Sequence, residues 1–168
     1  MDIKRDSYLQ QLISYRFDGL VKVITGIRRC GKSYLLKNIY REYLLQNGVK
    51  EDQIIVIELD LAKDIKYRNP LILSKYVREI VENSKEEFYL FVDEIQISDE
   101  VPNPYNEEGK KITFYDALND LRSLSNLDVY VTGSNSRFLS SDIITEFRGR
   151  GDEIRIFPLS FSEFYNAF

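Results

Sequence analysis

The chain has 168 residues, of which 43% are hydrophobic and 30% are charged, as expected for a globular domain with a buried core. It has no histidine, which excludes histidine-based general base catalysis and histidine-ligated metal sites within this chain, and its single cysteine excludes an internal disulfide. The net charge of −4 disfavours direct nucleic-acid binding through a broad basic face of this segment.

The amino-terminal residues 1–15 mix charged and apolar side chains and lack the apolar centre of a signal peptide. No apolar run along the chain is long enough to span a membrane. We therefore expect a cytoplasmic protein without membrane contact.

Five apolar, strand-like runs follow one another, and each is followed by a helical pattern of apolar residues. The runs are residues 20–25, 53–60, 88–95, 128–132 and 153–157. Strands that alternate with helices favour parallel pairing, and continuous apolar runs are typical of strands covered on both faces. The pattern predicts a doubly wound α/β sheet.

The first run leads into residues 26–33, which match the phosphate-loop pattern G-x-x-x-x-G-K-[ST] between a predicted strand and a predicted helix. Two glycines let backbone N–H groups converge, and the helix N-terminus favours anions. Lys32 is the cation for the β- and γ-phosphates, and the Ser33 hydroxyl is a Mg²⁺ ligand. The predicted nucleotide contacts are Gly26, Ile27, Arg28, Arg29, Cys30, Gly31, Lys32, Ser33 and Tyr34.

The side chains of Arg28 and Arg29 are expected by default to face solvent, although contact with phosphate stays open. Further along, Asn69-Pro70 and Thr113 have the sequence signature of helix starts. Residues 98–112 carry two prolines and many charges and are predicted to form a long surface loop, which could overhang the active site.

The third run ends in Asp93-Glu94. In phosphate-loop enzymes an aspartate at this position holds Mg²⁺, and a carboxylate one residue later can orient and deprotonate the water that attacks the γ-phosphate. The fourth run is followed by Ser134 and Asn135, either of which could contact the γ-phosphate, although an ordinary helix cap explains each one nearly as well.

Residues 136–149 have a helical apolar pattern that stops at Gly149 and Gly151. Arg148 and Arg150 therefore precede the fifth strand, where an arginine can neutralise charge on the γ-phosphoryl group in cis or on a neighbouring subunit. Simple placement of cations at a helix C-terminus is an equal alternative.

Near the C-terminus, Ser160 and Glu163 form a capping-box pattern ahead of an aromatic stripe. The stripe is made of Phe161, Phe164, Tyr165 and Phe168. Because this helix has no visible apolar partner, we expect residues 1–168 to be a single core domain of a longer chain.

The strings GIRRCGKSYLL, FVDEIQ, VTGSNSRFLS and FRGRGDEIRIFPLSFSEF together resemble AAA+ ATPases, and more narrowly the prokaryotic archaeal-ATPase-like AAA family. The resemblance implies a P-loop NTPase fold with a five-stranded parallel sheet of order 5-1-4-3-2 flanked by helices, and hydrolysis of ATP with Mg²⁺. It assigns Walker A to residues 26–33, Walker B to Asp93 and Glu94, sensor 1 to Ser134 or Asn135, and a finger-like arginine to Arg150.

Two departures from this family follow from the sequence. The connection 98–112 is longer than usual, and the helical lid and the C-terminal accessory domain of unknown function are missing from this segment. We predict an ATPase core with ATP, ADP and the missing C-terminal domain as partners, and a homo-oligomer stays open. The alternatives are a nucleotide-gated switch with slow hydrolysis and a P-loop kinase acting on a small molecule.

Overall fold

The computed structural model describes residues 3–105, 108–134, 145, 147, 149 and 151–167. Its α-helices are, in chain order, α1 (Asp6–Ser14), α2 (Lys32–Tyr34), α3 (Arg41–Gln46), α4 (Pro70–Val81), α5 (Phe114–Leu121) and α6 (Phe161–Ala167). A π-helical segment, Leu35–Tyr40, joins α2 to α3 without a break. Short 3₁₀ helices occur at Glu51–Gln53, Ala62–Arg68 and Ile95–Ile97.

The strands are β1 (Val21–Thr25), β2 (Ile54–Glu58), β3 (Phe88–Asp93), β4 (Val101–Pro102), β5 (Lys111–Ile112), β6 (Leu127–Thr132) and β7 (Gly151–Arg155). Five of them form one parallel sheet of order β2-β3-β6-β1-β7. When the five predicted strands are numbered one to five along the chain and the sheet is read from its β7 edge, this order is 5-1-4-3-2. The predicted α/β class and strand order are confirmed.

The sheet is covered on both faces. Strand β3 illustrates this, because all six of its residues are buried and successive side chains enter different cores. Leu90 and Val92 pack on the side of α4 and α5, whereas Tyr89 and Phe91 pack on the side of α1 and the helical segment 32–46. The continuous apolar run that predicted this strand therefore reflects two-sided burial.

The predicted helix starts are confirmed. The Asn69 side chain accepts hydrogen bonds from the amides of Leu71 and Ile72, with Pro70 at the first helical position. Thr113 and Asp116 form a reciprocal capping box at α5, and Ser160 and Glu163 do the same at α6. Each cap satisfies amides that a helix N-terminus leaves without a partner.

Two expectations about connections need correction. Segment 98–112 is not entirely a loop, because β4 and β5 pair in antiparallel fashion with Val101 opposite Ile112, and the segment borders α4 and α5. Gly151 does not stop a helix but begins β7, two residues before the predicted strand. The apolar pattern misses this start because β7 lies at the sheet edge, where polar residues are tolerated.

The predicted helix over 136–149 lies, apart from residues 145, 147 and 149, outside the described residues, as do Asn135, Arg148, Arg150 and Phe168. Within the described ranges, no helix has the length and the apolar character needed to cross a membrane.

Candidate functional site

The loop that follows β1 is curled tightly, and its first glycine is required by close packing. Gly26 has a φ of 147°, and a Cβ there would lie 2.4 Å from the Ile156 carbonyl oxygen and 2.7 Å from Cys30 Sγ. Gly31 has a φ of 97°, a left-handed conformation that glycine adopts without steric cost, and it immediately precedes α2. The loop therefore has the backbone geometry that the glycine spacing predicts.

Lys32 lies inside this curl. Its side chain is buried, and Nζ donates to the carbonyl oxygens of Gly26 and Ile27 at 3.0 and 2.8 Å. Cys30 is also buried, with Sγ 3.7 Å from Lys32 Nζ. The loop thus combines a buried cation with a helix N-terminus, an arrangement that attracts anions.

Ser33 and Asp93 meet across the end of the sheet, as the sequence predicts. Ser33 Oγ donates to Asp93 Oδ1 at 2.8 Å, and the Thr132 hydroxyl donates to the same oxygen. On the other side of the carboxylate, Lys37 Nζ lies 3.2 Å from Asp93 Oδ2. Asp93 is buried and is therefore oriented by three neighbouring groups.

The donor set fits Mg²⁺. A hydroxyl and a carboxylate in direct contact are hard oxygen ligands, and Mg²⁺ usually completes its octahedron with water and phosphate oxygens. Among the described residues, no group of three or more acidic or cysteine side chains could hold a metal ion alone. Ser33 and Asp93 would therefore hold the metal together with its substrate rather than in a separate protein cage.

Glu94 has a left-handed backbone, with φ at 61°, although it is not a glycine. Such a conformation costs roughly 1–2 kcal/mol. Its amide donates to Thr132 Oγ1 at 3.0 Å, and its Oε2 accepts from Ser134 Oγ at 3.0 Å and from the Gln96 side-chain amide. The strained turn directs the Glu94 side chain into the same cleft that Ser33 borders.

That cleft has a volume of about 540 Å³. Its lining residues come from the ends of β1, β2, β3 and β6: Arg28, Arg29, Ser33, Asp60, Glu94, Gln96, Ile97 and Ser134. Arg28 and Arg29 are exposed as expected, yet they also border the cleft. Tyr34 is exposed on α2.

Four residues at this site were missed by sequence reasoning: Thr132, Lys37, Glu58 and Gln96. Lys37 pairs with Asp93 and also with Glu58, the last residue of β2, which stands opposite Asp93 in the sheet. The spacing of Ser33 and Lys37, four residues apart on one helical segment, is the signal that could have identified this lysine.

The positive charge of Lys37 and the negative charges of Glu58 and Asp93 stabilise one another. Burial acts to lower the pKa of Lys37, but the hydrogen bond to Glu58 and the charge of Asp93 outweigh burial and raise it. The hydrogen bond from Lys37 in turn lowers the pKa of Glu58 against the effect of burial. Lys37 therefore stays cationic and Glu58 stays anionic beside Asp93.

Comparison with known sequences and structures is consistent with this geometry. The sequence matches an AAA domain family over residues 18–165. An uncharacterized protein of Haemophilus influenzae is 37% identical over 165 residues, covering 98% of this chain and 38% of that protein. An uncharacterized protein of Methanocaldococcus jannaschii is 32% identical over 148 residues, covering 86% of this chain and 28% of that protein. The chain thus spans well under half the length of these relatives.

Solved structures share the fold at low identity. AMPPCP-bound DnaA from Aquifex aeolicus aligns with a TM-score of 0.56 and 16% identity, over 95% of this chain and 47% of that chain. Cdc6p from Pyrobaculum aerophilum aligns with a TM-score of 0.57 and 12% identity, over 97% and 48%. A DNA polymerase III gamma subunit-related protein from Thermotoga maritima aligns with a TM-score of 0.59 and 11% identity, over 93% and 46%.

Proposed function

The chain belongs to the AAA domain family and has an AAA+ P-loop ATPase-like fold, and from this premise we propose that it binds ATP with Mg²⁺ and hydrolyses the β–γ phosphoanhydride bond. One observation carries the proposal. The Glu94 carboxylate and the Ser33 hydroxyl border one cleft, beside an Asp93 that Ser33 contacts directly. This arrangement supports Glu94 as the base and Ser33 and Asp93 as the metal ligands, next to the loop with the phosphate-loop motif.

In the proposed reaction the loop amides and Lys32 bind the triphosphate of the substrate. Lys32 exchanges its present contacts with the Gly26 and Ile27 carbonyls for phosphate oxygens. Ser33 and Asp93 would hold Mg²⁺, which when bound would supply positive charge to the phosphate oxygens. The Thr132 hydroxyl keeps the Asp93 carboxylate turned toward Ser33.

Glu94 accepts a proton from the attacking water. The water oxygen forms a bond to the γ-phosphorus as the bond to the β–γ bridging oxygen breaks, which yields ADP and inorganic phosphate. Ser134 donates to Glu94 and is one candidate for γ-phosphate contact. Asn135, Arg148 and Arg150 keep their sequence-based assignments, with the arginine acting in cis or in trans.

The test is Glu94→Gln, which removes the base and keeps the size of the side chain. ATP affinity should stay within a few-fold of wild type, while turnover falls by about 100-fold or more. Glu79→Gln, on the exposed face of α4, is the matched control and should leave both quantities unchanged. Undiminished phosphate release by Glu94→Gln would remove Glu94 from this role.

A second candidate is a nucleotide-gated switch with slow hydrolysis. It is favoured by the two donors, Ser134 and Gln96, that occupy Glu94 Oε2, because an attacking water would have to displace or share these contacts to reach that oxygen. Tight ATP binding with slow turnover in the full-length protein, accelerated by Gln96→Ala, would support the switch. A P-loop kinase is distinguished by a phosphorylated acceptor in place of free phosphate.

The wider assignments are proposals as well. We propose that this core works within a longer cytoplasmic protein, since it spans 38% of the Haemophilus influenzae relative. A carboxy-terminal lid, an accessory domain and a homo-oligomer are consistent with the family and are open to measurement on the full-length protein.

A further inference from the structure

A buried arginine that the proposed mechanism does not use connects three distant parts of the chain. Arg5 lies just before α1 and is only 2% exposed. Its Nη1 donates to the Cys30 carbonyl oxygen at 2.8 Å, its Nη2 donates to the Phe157 carbonyl oxygen at 2.5 Å, and its Nε donates to Glu163 Oε1 at 3.3 Å. One guanidinium thus contacts the phosphate loop, the exit of β7 and α6.

The first of these contacts acts on the phosphate loop itself. Because a peptide unit is planar and trans, the carbonyl of Cys30 and the N–H of Gly31 point in opposite directions. Arg5 binds the carbonyl, so the Gly31 N–H is directed away from Arg5. The amide at this motif position is one that a phosphate loop offers to its ligand.

The approach of Arg5 to the loop is close. A Cβ on Gly31 would lie 3.4 Å from Arg5 Nη1, so the motif glycine also makes room for the arginine. The guanidinium lies over the Tyr8 ring, 4.7 Å from its centre, and the Tyr8 hydroxyl accepts a hydrogen bond from the Phe157 amide. These contacts hold the guanidinium in one orientation.

The contact with Glu163 joins the same group to α6. None of the residues of α6 from 161 to 167 is buried, and Phe161 and Tyr165 are largely exposed. The ion pair with Arg5 is therefore one attachment of this helix to the domain. The Arg5 side chain thus joins the Cys30 carbonyl to α6.

We propose that Arg5 is a positioning residue that orients the Cys30–Gly31 peptide for phosphate binding and couples the occupied loop to α6. This inference rests on the proposed function, since it requires a phosphate ligand. Loss of a charged hydrogen bond to the loop should weaken phosphate binding by about tenfold or more. The adenosine part of the ligand, which does not contact the loop amides, should be unaffected.

The experiment compares wild type with Arg5→Met, Arg5→Lys and Glu163→Gln by calorimetric binding of Mg²⁺–ATP, pyrophosphate and adenosine. Arg5→Met should bind ATP and pyrophosphate about tenfold more weakly and adenosine normally. Arg5→Lys keeps the charge but lacks the planar fork, so it should recover part of the affinity. Glu163→Gln keeps the loop contact, so its affinity for all three ligands should change by no more than the factor by which ATP alters the protection of α6.

Hydrogen exchange of residues 158–167 gives the second readout. ATP should slow exchange there in wild type. This effect should disappear in Arg5→Met and weaken in Glu163→Gln, whose amide oxygen can still accept from Arg5 but carries no charge. Should Arg5→Met not fold, Arg5→Lys and Glu163→Gln decide the question. Wild-type pyrophosphate affinity in an arginine variant, or an α6 response of wild-type size in an arginine variant, would overturn the inference. A wild-type protein that binds neither ATP nor pyrophosphate overturns the proposed function and this role with it.

Discussion

Strands β1 and β6 carry buried polar groups at both of their ends, and the two ends differ in access. At the carboxyl end, Thr132 belongs to the group around Asp93 and Ser33, next to an open cleft. At the amino end, Lys22 of β1 pairs with Asp128 of β6, and both residues are almost completely enclosed by protein. The same two strands thus hold an accessible group and a closed one.

The polar side chains of the closed group form hydrogen bonds with one another and with the backbone. Lys22 Nζ donates to Asp128, to Asp18 at 3.0 Å and to the Leu20 carbonyl at 2.9 Å. Asp128 Oδ2 accepts from Tyr130 at 2.6 Å, and Tyr130 and Tyr40 share a hydrogen bond of 2.6 Å. Each polar atom in this chain of contacts is paired with another protein atom, as buried polar groups require.

Burial raises the pKa of Tyr130 well above its usual value, and it raises that of Tyr40 as well. Neither hydroxyl lines the cleft that contains Glu94. A shifted pKa in a closed group therefore reports on packing, whereas the cleft beside Asp93 is where a ligand can reach the polar atoms. The two ends of β1 and β6 therefore differ more clearly in their accessibility to a ligand than in their charge.

The largest expected effect tests the closed end. Lys22→Met leaves the Asp128 carboxylate buried without its cation, so the free energy of unfolding should fall by about 3–5 kcal/mol. Urea denaturation followed by circular dichroism measures this change. Lys37→Met at the accessible end is the matched control and should cost about 1 kcal/mol or less, because Lys37 is partly exposed to water. Equal losses would contradict the distinction between the ends.

The second prediction tests the accessible end through its ligand. Mg²⁺–ATP at 100 times its dissociation constant should stabilise wild type by about 2.7 kcal/mol. Asp93→Asn should lose most of this stabilisation, because an amide is a poorer Mg²⁺ ligand, while the unliganded protein stays folded. Thermal unfolding with ATP, with and without EDTA, measures both effects. Asp120→Asn, which loses an exposed contact with Arg78, should respond to ATP as wild type does.

The smallest expected effect lies at the rim of the closed end, where Asp152 meets Asp18. The hydrogen bond to Asp18, followed by burial, raises the pKa of Asp152 from 3.8 to about 6. The stabilisation contributed by the protonated Asp152 carboxyl is fully present below pH 3.8 and is lost as the pH rises through about 6. Asp152→Asn keeps a hydrogen-bond donor at every pH, so its free energy of unfolding should exceed that of wild type at pH 7.

The gain should stay below about 1 kcal/mol, because water screens this partly exposed pair. Urea denaturation between pH 4 and 8 measures it, and the two curves should converge near pH 4. Asp18→Asn should instead lower the free energy of unfolding at pH 7. Burial acts to raise the pKa of Asp18, but hydrogen bonds from Asp152, the Leu20 amide and Lys22 together lower it. A constant difference across the pH range would contradict the assignment to Asp152.

Much of the fold was predictable because its determinants are local. The apolar run before Gly26, the caps at Asn69 and Thr113, and the acidic end of β3 each act within a few residues of sequence. The contact of Ser33 with Asp93 followed from the parallel sheet, in which carboxyl ends of strands share one edge.

The remainder depends on contacts between distant residues. Arg5 reaches Glu163 across 158 positions, and no periodic pattern links the two. The sequence identifies Thr132 only as the last residue of a strand, because its two hydrogen bonds, to the Asp93 carboxylate and the Glu94 amide, exist only once β3 and β6 are neighbours. Composition alone could not distinguish these residues from ordinary strand and surface residues.

The π-helical segment Leu35–Tyr40 has a consequence for sequence alignment. Each π turn contains more residues than an α turn, so this segment is wider than the helix on either side of it. Ser33 before it faces the cleft, while Tyr40 at its end reaches Tyr130 in the core. Deleting one residue here would restore α geometry and keep both side chains in place, whereas α geometry without a deletion would rotate one of them by roughly 100° about the axis. A relative with an uninterrupted α-helix at this position should therefore show a one-residue gap, and substitutions should be compared separately on the two sides of that gap.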